Sequence, residues 1–176
     1  MSFAIWITGL PASGKSTITE ALRPRLEQAG LRVEVLESDV VRQVLTPSPS
    51  YSDKERDLFY RAMAFVGSRL VANGVTVIFD ATATKRAYRE YARQLIPRFI
   101  EVAVECPLEV SMARDKKGTY RKGLAGQSKT VPGLDSPYEA SAAPDVRIDS
   151  EHMTAERAVE SILNVLRDRG FVLAAA

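Results

Sequence analysis

A chain of 176 residues in which 45% are apolar can bury one sizeable core, so a single domain spanning residues 1–176 is expected. Net charge is only +2, from 24 basic and 22 acidic residues, which excludes bulk attraction to nucleic acid or to a membrane surface. The single Cys106 excludes an internal disulfide, and the absence of an N-terminal signal pattern or a long apolar span leads to an expected cytoplasmic location.

In chain order, Phe3 to Ile7 (FAIWI) is an apolar run suited to a buried parallel strand. Gly9-Leu10-Pro11-Ala12-Ser13-Gly14-Lys15-Ser16-Thr17 follows and fits G-x-x-x-x-G-K-[ST]. Glycines let successive backbone N–H groups face phosphate oxygens, Lys15 adds a positive charge, and Ser16 offers a hydroxyl to Mg2+. Thr17 to Gln28 then has helical spacing, with Ile18, Ala21, Leu22 and Leu26 on one side, so the loop sits at a helix N-terminus that also favours anions. A Gly30 cap leads to a second strand over 31–36, which runs into Glu37-Ser38-Asp39. Val40 to Leu45 reads as a short helix, and the Pro/Ser stretch 46–50 ends it.

Ser52 and Glu55 have the spacing of a capping box, opening a helix through Leu58, Ala62, Phe65, Val66 and Leu70 that Asn73-Gly74 stops. Val75 to Phe79 is a β-branched and aromatic run, the pattern of a central strand, followed by Asp80-Ala81-Thr82-Ala83-Thr84. A helix over 85–95, a strand over 99–104 and a helix from Pro107 to about Arg114 continue the alternation. Between Asp115 and Gly133, five basic residues interleave with four glycines, and this segment is expected to be a lid. Pro144 to Asp149 suggests a fifth strand, and Thr154 to Arg169 a closing amphipathic helix with Ala158, Ile162, Val165 and Leu166 inward. The fold expected is α/β: a P-loop NTPase with a five-stranded parallel sheet, helices on both faces and a lid at about 115–133.

Ligands of such sheets gather at strand C-terminal ends, where residues 9–16, 37–39 and 80–84 should meet. Phosphoryl transfer needs phosphate charge neutralised, a metal bridge and an acceptor oxygen in line. Gly9, Ala12, Ser13, Gly14, Lys15, Ser16 and Thr17 would hold ATP, with Lys15 on the β/γ oxygens. Asp39 could orient Mg2+ water or take the acceptor proton, or else cap the helix beginning at Val40. Arg42, close to Asp39, suits an anionic acceptor, and Lys15, Asp39 and Arg42 are the catalytic candidates. The metal candidates are Ser16, Asp39 and Asp80, with a strand-end cap as the other reading of Asp80. Arg114 and Lys117 belong to the basic segment that would close over ATP and exclude water.

With these residues in view, the chain resembles the adenylylsulfate kinase family, which phosphorylates the ribose 3'-hydroxyl of adenylylsulfate with ATP. The resemblance spans roughly residues 3 to 150 and is most specific in 99–102 (FIEV), 107–110 (PLEV), Ala113-Arg114-Asp115-x-Lys117-Gly118-x-Tyr120 and 133–139 (GLDSPYE). It implies that Arg114 lies against the ATP adenine, that Asp39 and Arg42 match the Asp and Arg of D-G-D-N-x-x-R, and that Arg56 and Lys129 are substrate-side cations.

Departures fall in the expected acceptor region. Glu37-Ser38-Asp39-Val40 replaces Asp-Gly-Asp-Asn, residues 81–86 (ATATKR) replace F-I-S-P-Y-R, and Val131 stands where G-F-T-G-I-D has its Phe. Two stacking rings and a serine are thereby absent, and Tyr51 is the candidate substitute ring. The acceptor-side candidates are then Asp39, Arg42, Tyr51, Arg56, Arg86 and Lys129.

Three readings follow: an ATP- and Mg2+-dependent adenylylsulfate kinase of sulfate assimilation, the same donor chemistry on another anionic nucleotide-like or sugar hydroxyl, or an ATP-binding regulatory module without transfer. Partners are ATP and a small anionic hydroxyl substrate, with neither nucleic acid nor membrane. The sequence is silent on oligomeric state, and a homodimer is compatible with it.

Overall fold

The computed structural model describes residues 2–172. Five parallel strands, β1 (Ala4–Thr8), β2 (Val33–Glu37), β3 (Thr76–Asp80), β4 (Phe99–Glu105) and β5 (Val146–Asp149), form one sheet in the order β2-β3-β1-β4-β5. β1 and β3 are buried along their whole length, as continuous apolar runs require when helices cover both faces.

One face packs on α1 (Lys15–Gln28) and α7 (Ala155–Asp168) through Ile5, Ile7, Leu22, Leu26, Ile162 and Leu166. The other packs on α3 (Asp53–Ala72) and α4 (Arg86–Leu95) around Trp6, Phe59, Met63, Phe79 and Tyr88. α2 (Ser38–Leu45), α5 (Leu108–Ala113) and α6 (Thr119–Leu124) are shorter. Among the described residues, no helix is long and apolar enough to cross a membrane.

Three local expectations are corrected. α3 carries apolar residues on several sides, and the face that meets the sheet is Phe59, Tyr60, Met63, Ala64 and Gly67, which leaves Leu58, Phe65 and Val66 exposed. Gly67 permits this: a Cβ there would lie 2.1 Å from Phe79 Cζ, so the helix rests directly on the ring. Only half of the capping box forms. Ser52 Oγ accepts from the Glu55 amide at 3.3 Å, but the Glu55 carboxylate accepts from the Ser50 amide at 2.7 Å and the Tyr51 amide at 3.1 Å. Finally, β2 passes directly into α2 at Ser38, so Asp39 lies inside the first turn and does not cap it.

Candidate functional site

Sheet register builds the site. Glu37 pairs with Asp80 across β2 and β3, and Asp80 pairs with Ile7 across β3 and β1, so two carboxylates lie beside the start of the glycine loop. In that loop, a Cβ at Gly9 would lie 2.5 Å from the Val104 carbonyl oxygen, so only glycine permits the chain to turn so close to β4. Gly14 stands at the N-cap of α1, and Ala12 takes a left-handed φ of 57°. The resulting cleft has a volume of about 910 Å³.

Lys15 is folded back over the loop, donating from Nζ to the Leu10 carbonyl at 2.8 Å and the Gly9 carbonyl at 3.1 Å. Burial pushes its ammonium below the ordinary value, against the opposing fields of Asp80 and Asp39. Asp80 is 4% exposed. Burial raises its carboxyl above the usual range, while Lys15 and a hydrogen bond from Ser16 pull it down. A carboxylate and a hydroxyl side by side, both hard oxygen donors, form a set that suits Mg2+.

The basic segment 115–133 reaches the same carboxylates. Lys117 Nζ lies 2.7 Å from Asp39 Oδ2 and 3.4 Å from Glu37 Oε1, and the hydrogen bond to Asp39 raises its pKa. This segment is also more structured than its glycines suggest. Asp115 accepts from the amides of Thr119 and Tyr120 at 2.9 and 2.8 Å, which starts α6, and Tyr120 Oη donates to the Pro11 carbonyl at 3.1 Å. α6 is thus docked on the phosphate loop. Arg114 Nη1 donates to the Ser150 carbonyl at 3.0 Å, at the end of the cleft lined by Met153 and Thr154.

Across from Lys15 stands a second group. Arg42 does not pair with Asp39. It is buried, with its guanidinium 3.9 Å above the Phe59 ring, 5.0 Å from the Tyr51 ring and 3.4 Å from Glu55 Oε1. Arg56 donates to the Tyr51 carbonyl at 3.0 Å, Thr84 Oγ1 at 3.4 Å and the Thr130 carbonyl at 2.8 Å. Tyr51 itself has φ 54° and is flanked by both guanidiniums. The ring stays 39% exposed and lines the cleft, so part of its surface is open to a planar ligand.

Of the residues singled out by sequence, Ala12, Gly14, Lys15, Ser16, Thr17, Asp39, Arg42, Tyr51, Arg56, Asp80, Arg114 and Lys117 line this cleft. Gly9 and Ser13 support the loop from behind. Arg86 and Lys129 do not line it: Arg86 is exposed and faces Glu139, with Nε 3.9 Å from Oε2, and Lys129 points to solvent. Ala81 is fully buried outside the cleft, its carbonyl accepting from Trp6 Nε1 at 3.1 Å, so its difference from F-I-S-P-Y-R lies in the core. Val131 does line the cleft but is only 3% exposed. Sequence reasoning brings residues 37–39 and 80–84 to the cleft, where Glu37 and Thr84 indeed lie, but assigns no individual role to Glu37, which meets Lys117, or to Thr84, which holds Arg56.

Comparison with known proteins adds a family. A family model described as adenylylsulphate kinase matches residues 1–149. The probable adenylyl-sulfate kinase of Archaeoglobus fulgidus is 45% identical over 151 residues, covering 86% of this chain and 97% of that one. The solved structure of the Mycobacterium tuberculosis APS kinase CysC in complex with AMPPNP and APS superposes with a TM-score of 0.88 at 29% identity, covering 94% of this chain and 98% of that chain. A hexameric APS kinase from Thiobacillus denitrificans superposes with a TM-score of 0.72 at 27% identity, over 97% of this chain and 30% of that chain.

Proposed function

Because the chain belongs to the adenylylsulphate kinase family, we propose that its cleft moves the γ-phosphoryl group of ATP to the 3'-hydroxyl of adenylylsulfate. The observation that carries this reading is the pairing, in one cleft, of the Lys15–Ser16 cradle with a partly exposed ring that has two guanidiniums within about 6 Å of it. The first half suits a triphosphate, and the second suits a planar, anionic acceptor.

In this reading Lys15 leaves its two carbonyl acceptors for the β/γ oxygens, and Arg114 covers the adenine of ATP. Ser16 and Asp80 would hold Mg2+, which when bound neutralises phosphate charge. Arg42 and Arg56 attract the acceptor's anionic groups while Tyr51 stacks on its base. Asp39, once released by Lys117, takes the proton of the attacking hydroxyl; the new oxygen–phosphorus bond forms as the bond to the β-phosphate oxygen breaks and ADP leaves.

The test is transfer from labelled ATP to a panel of adenylylsulfate, other nucleotides and phosphorylated sugars. Labelling of adenylylsulfate is expected, and labelling of a different acceptor alone would overturn the reading. Tyr51→Ala is expected to raise the KM for adenylylsulfate by about 10- to 100-fold, with the KM for ATP unchanged, since one stacked base contributes about 1–3 kcal/mol. Equal effects on both substrates would remove Tyr51 from the acceptor side.

A homodimer through the exposed apolar residues Leu58, Phe65 and Val66 of α3 is the assembly we propose. Sedimentation equilibrium should find a dimer for the unaltered chain and a monomer for Phe65→Glu. A monomer in both cases removes the proposal.

A further inference from the structure

A buried guanidinium outside the cleft has no part in the chemistry above. Arg89, on α4, is 1% exposed. Its Nε donates to Glu101 Oε1 at 2.7 Å, which already satisfies the buried charge pair. The remaining arms go elsewhere: Nη1 donates to the Ala83 carbonyl, and Nη2 to the Glu139 carbonyl at 2.7 Å. One rigid fork therefore joins β4, the loop after β3 and the segment that follows the lid.

The two loops also hold each other. The Glu139 amide donates to the Thr84 carbonyl at 2.8 Å, and Glu139 Oε2 accepts from the Arg86 amide at 2.8 Å. Ala83 between them is fully buried with φ 46°, a left-handed conformation that a Cβ disfavours. It is gripped at both ends, its amide donating to Tyr60 Oη at 3.2 Å and its carbonyl accepting from Arg89. On either side of this peptide stand Thr82 and Thr84, both facing the cleft. Thr84 Oγ1 meets Arg56, whose other arms hold the Tyr51 and Thr130 carbonyls.

We propose that Arg89 is a positioning residue for the acceptor half of the site: by fixing the left-handed Ala83 peptide it places Thr84, and through Thr84 the Arg56–Tyr51 pair. This rests on the acceptor assignment made above. Toward the glycine loop the connection is less direct: Thr8, just before Gly9, donates to the Thr82 carbonyl at 2.6 Å and lies 3.1 Å from Tyr138 Oη, while among the described residues Lys15 and Ser16 make no hydrogen bond to the fork, so ATP binding should sense it far less than acceptor binding.

Arg89→Lys keeps the charge beside Glu101 and loses the fork. A KM for adenylylsulfate raised about tenfold is expected, with ATP binding within about twofold of the unaltered enzyme. Adding Ala83→Gly, which accepts the left-handed conformation freely, should recover at least about threefold of that loss. Should Arg89→Lys not fold, the pair Arg89→Met with Glu101→Gln removes both charges and retains an acceptor for Ser141; the same selective rise is expected. A folded variant whose KM for adenylylsulfate is unchanged, or whose two KM values rise together, overturns the proposal. The unaltered enzyme run in parallel separates this from failure of the acceptor assignment, which would show as no transfer to adenylylsulfate by any of the proteins.

Discussion

Lys15→Ala is expected to lower kcat by about 10³-fold, the loss of about 4 kcal/mol that follows removal of one preorganised donor from a developing charge. Lys15 is the cradle's side-chain cation, and its present acceptors are two carbonyls of its own loop. Neighbouring cations are already engaged, Lys117 with Asp39 and Glu37, Arg42 with Glu55 and Arg114 with the Ser150 carbonyl. Arginine should not rescue it, since a planar fork does not fit where an ammonium is enclosed by the loop. The fold should survive, because burial already disfavours the charged ammonium and alanine removes that cost. Single-turnover transfer and a thermal melt check both halves. A variant within about tenfold of the unaltered rate would refute the donor assignment.

Asp80→Asn should be the next most damaging change, with kcat down about 10²- to 10³-fold and the Mg2+ requirement shifted to higher concentration. Asparagine preserves shape and hydrogen bonding, so a residue that merely ends a strand would tolerate it. A metal carboxylate would not, because a neutral amide is a poor ligand for a hard divalent cation. Burial works in the opposite direction on the empty fold: the raised pKa of Asp80 marks a carboxylate that pays desolvation, so the amide should leave thermal stability equal or higher. Magnesium titration of activity at saturating ATP separates the two roles. An unchanged titration midpoint would return Asp80 to a structural role.

Much of this architecture is legible in the sequence because its signals are local. The run 75–79 has the pattern of a buried strand, and β3 forms over Thr76–Asp80, while the Gly9–Thr17 spacing signals both a turn and the helix that follows. What escapes is set by pairing between distant segments. No local rule places Glu37 opposite Asp80, since that depends on the register of β2 against β3. Nor does spacing show that Arg42 prefers Glu55 to Asp39: the two aromatic faces of Tyr51 and Phe59 draw it inward, and Lys117 takes the carboxylate it leaves. α6 hides behind its glycines because it is started by Asp115, outside the helix itself. The resemblance placed Ala81 and Val131 in the acceptor pocket alike, yet only the second reaches the cleft, because Ala81 follows a central strand whose end is already roofed by Trp6.

The contact between Gly67 and Phe79 bears on the cleft from a distance. Gly67 and Arg56 lie on the same helix, about 16 Å apart along its axis at about 1.5 Å per residue, so the clearance at the first bears on where the second sits. The absent methyl group is in effect a spacer of zero thickness in a lever whose far end carries the Arg56 guanidinium into the cleft. Where Arg56 sits in the cleft is therefore set partly by Gly67, a residue that does not line it.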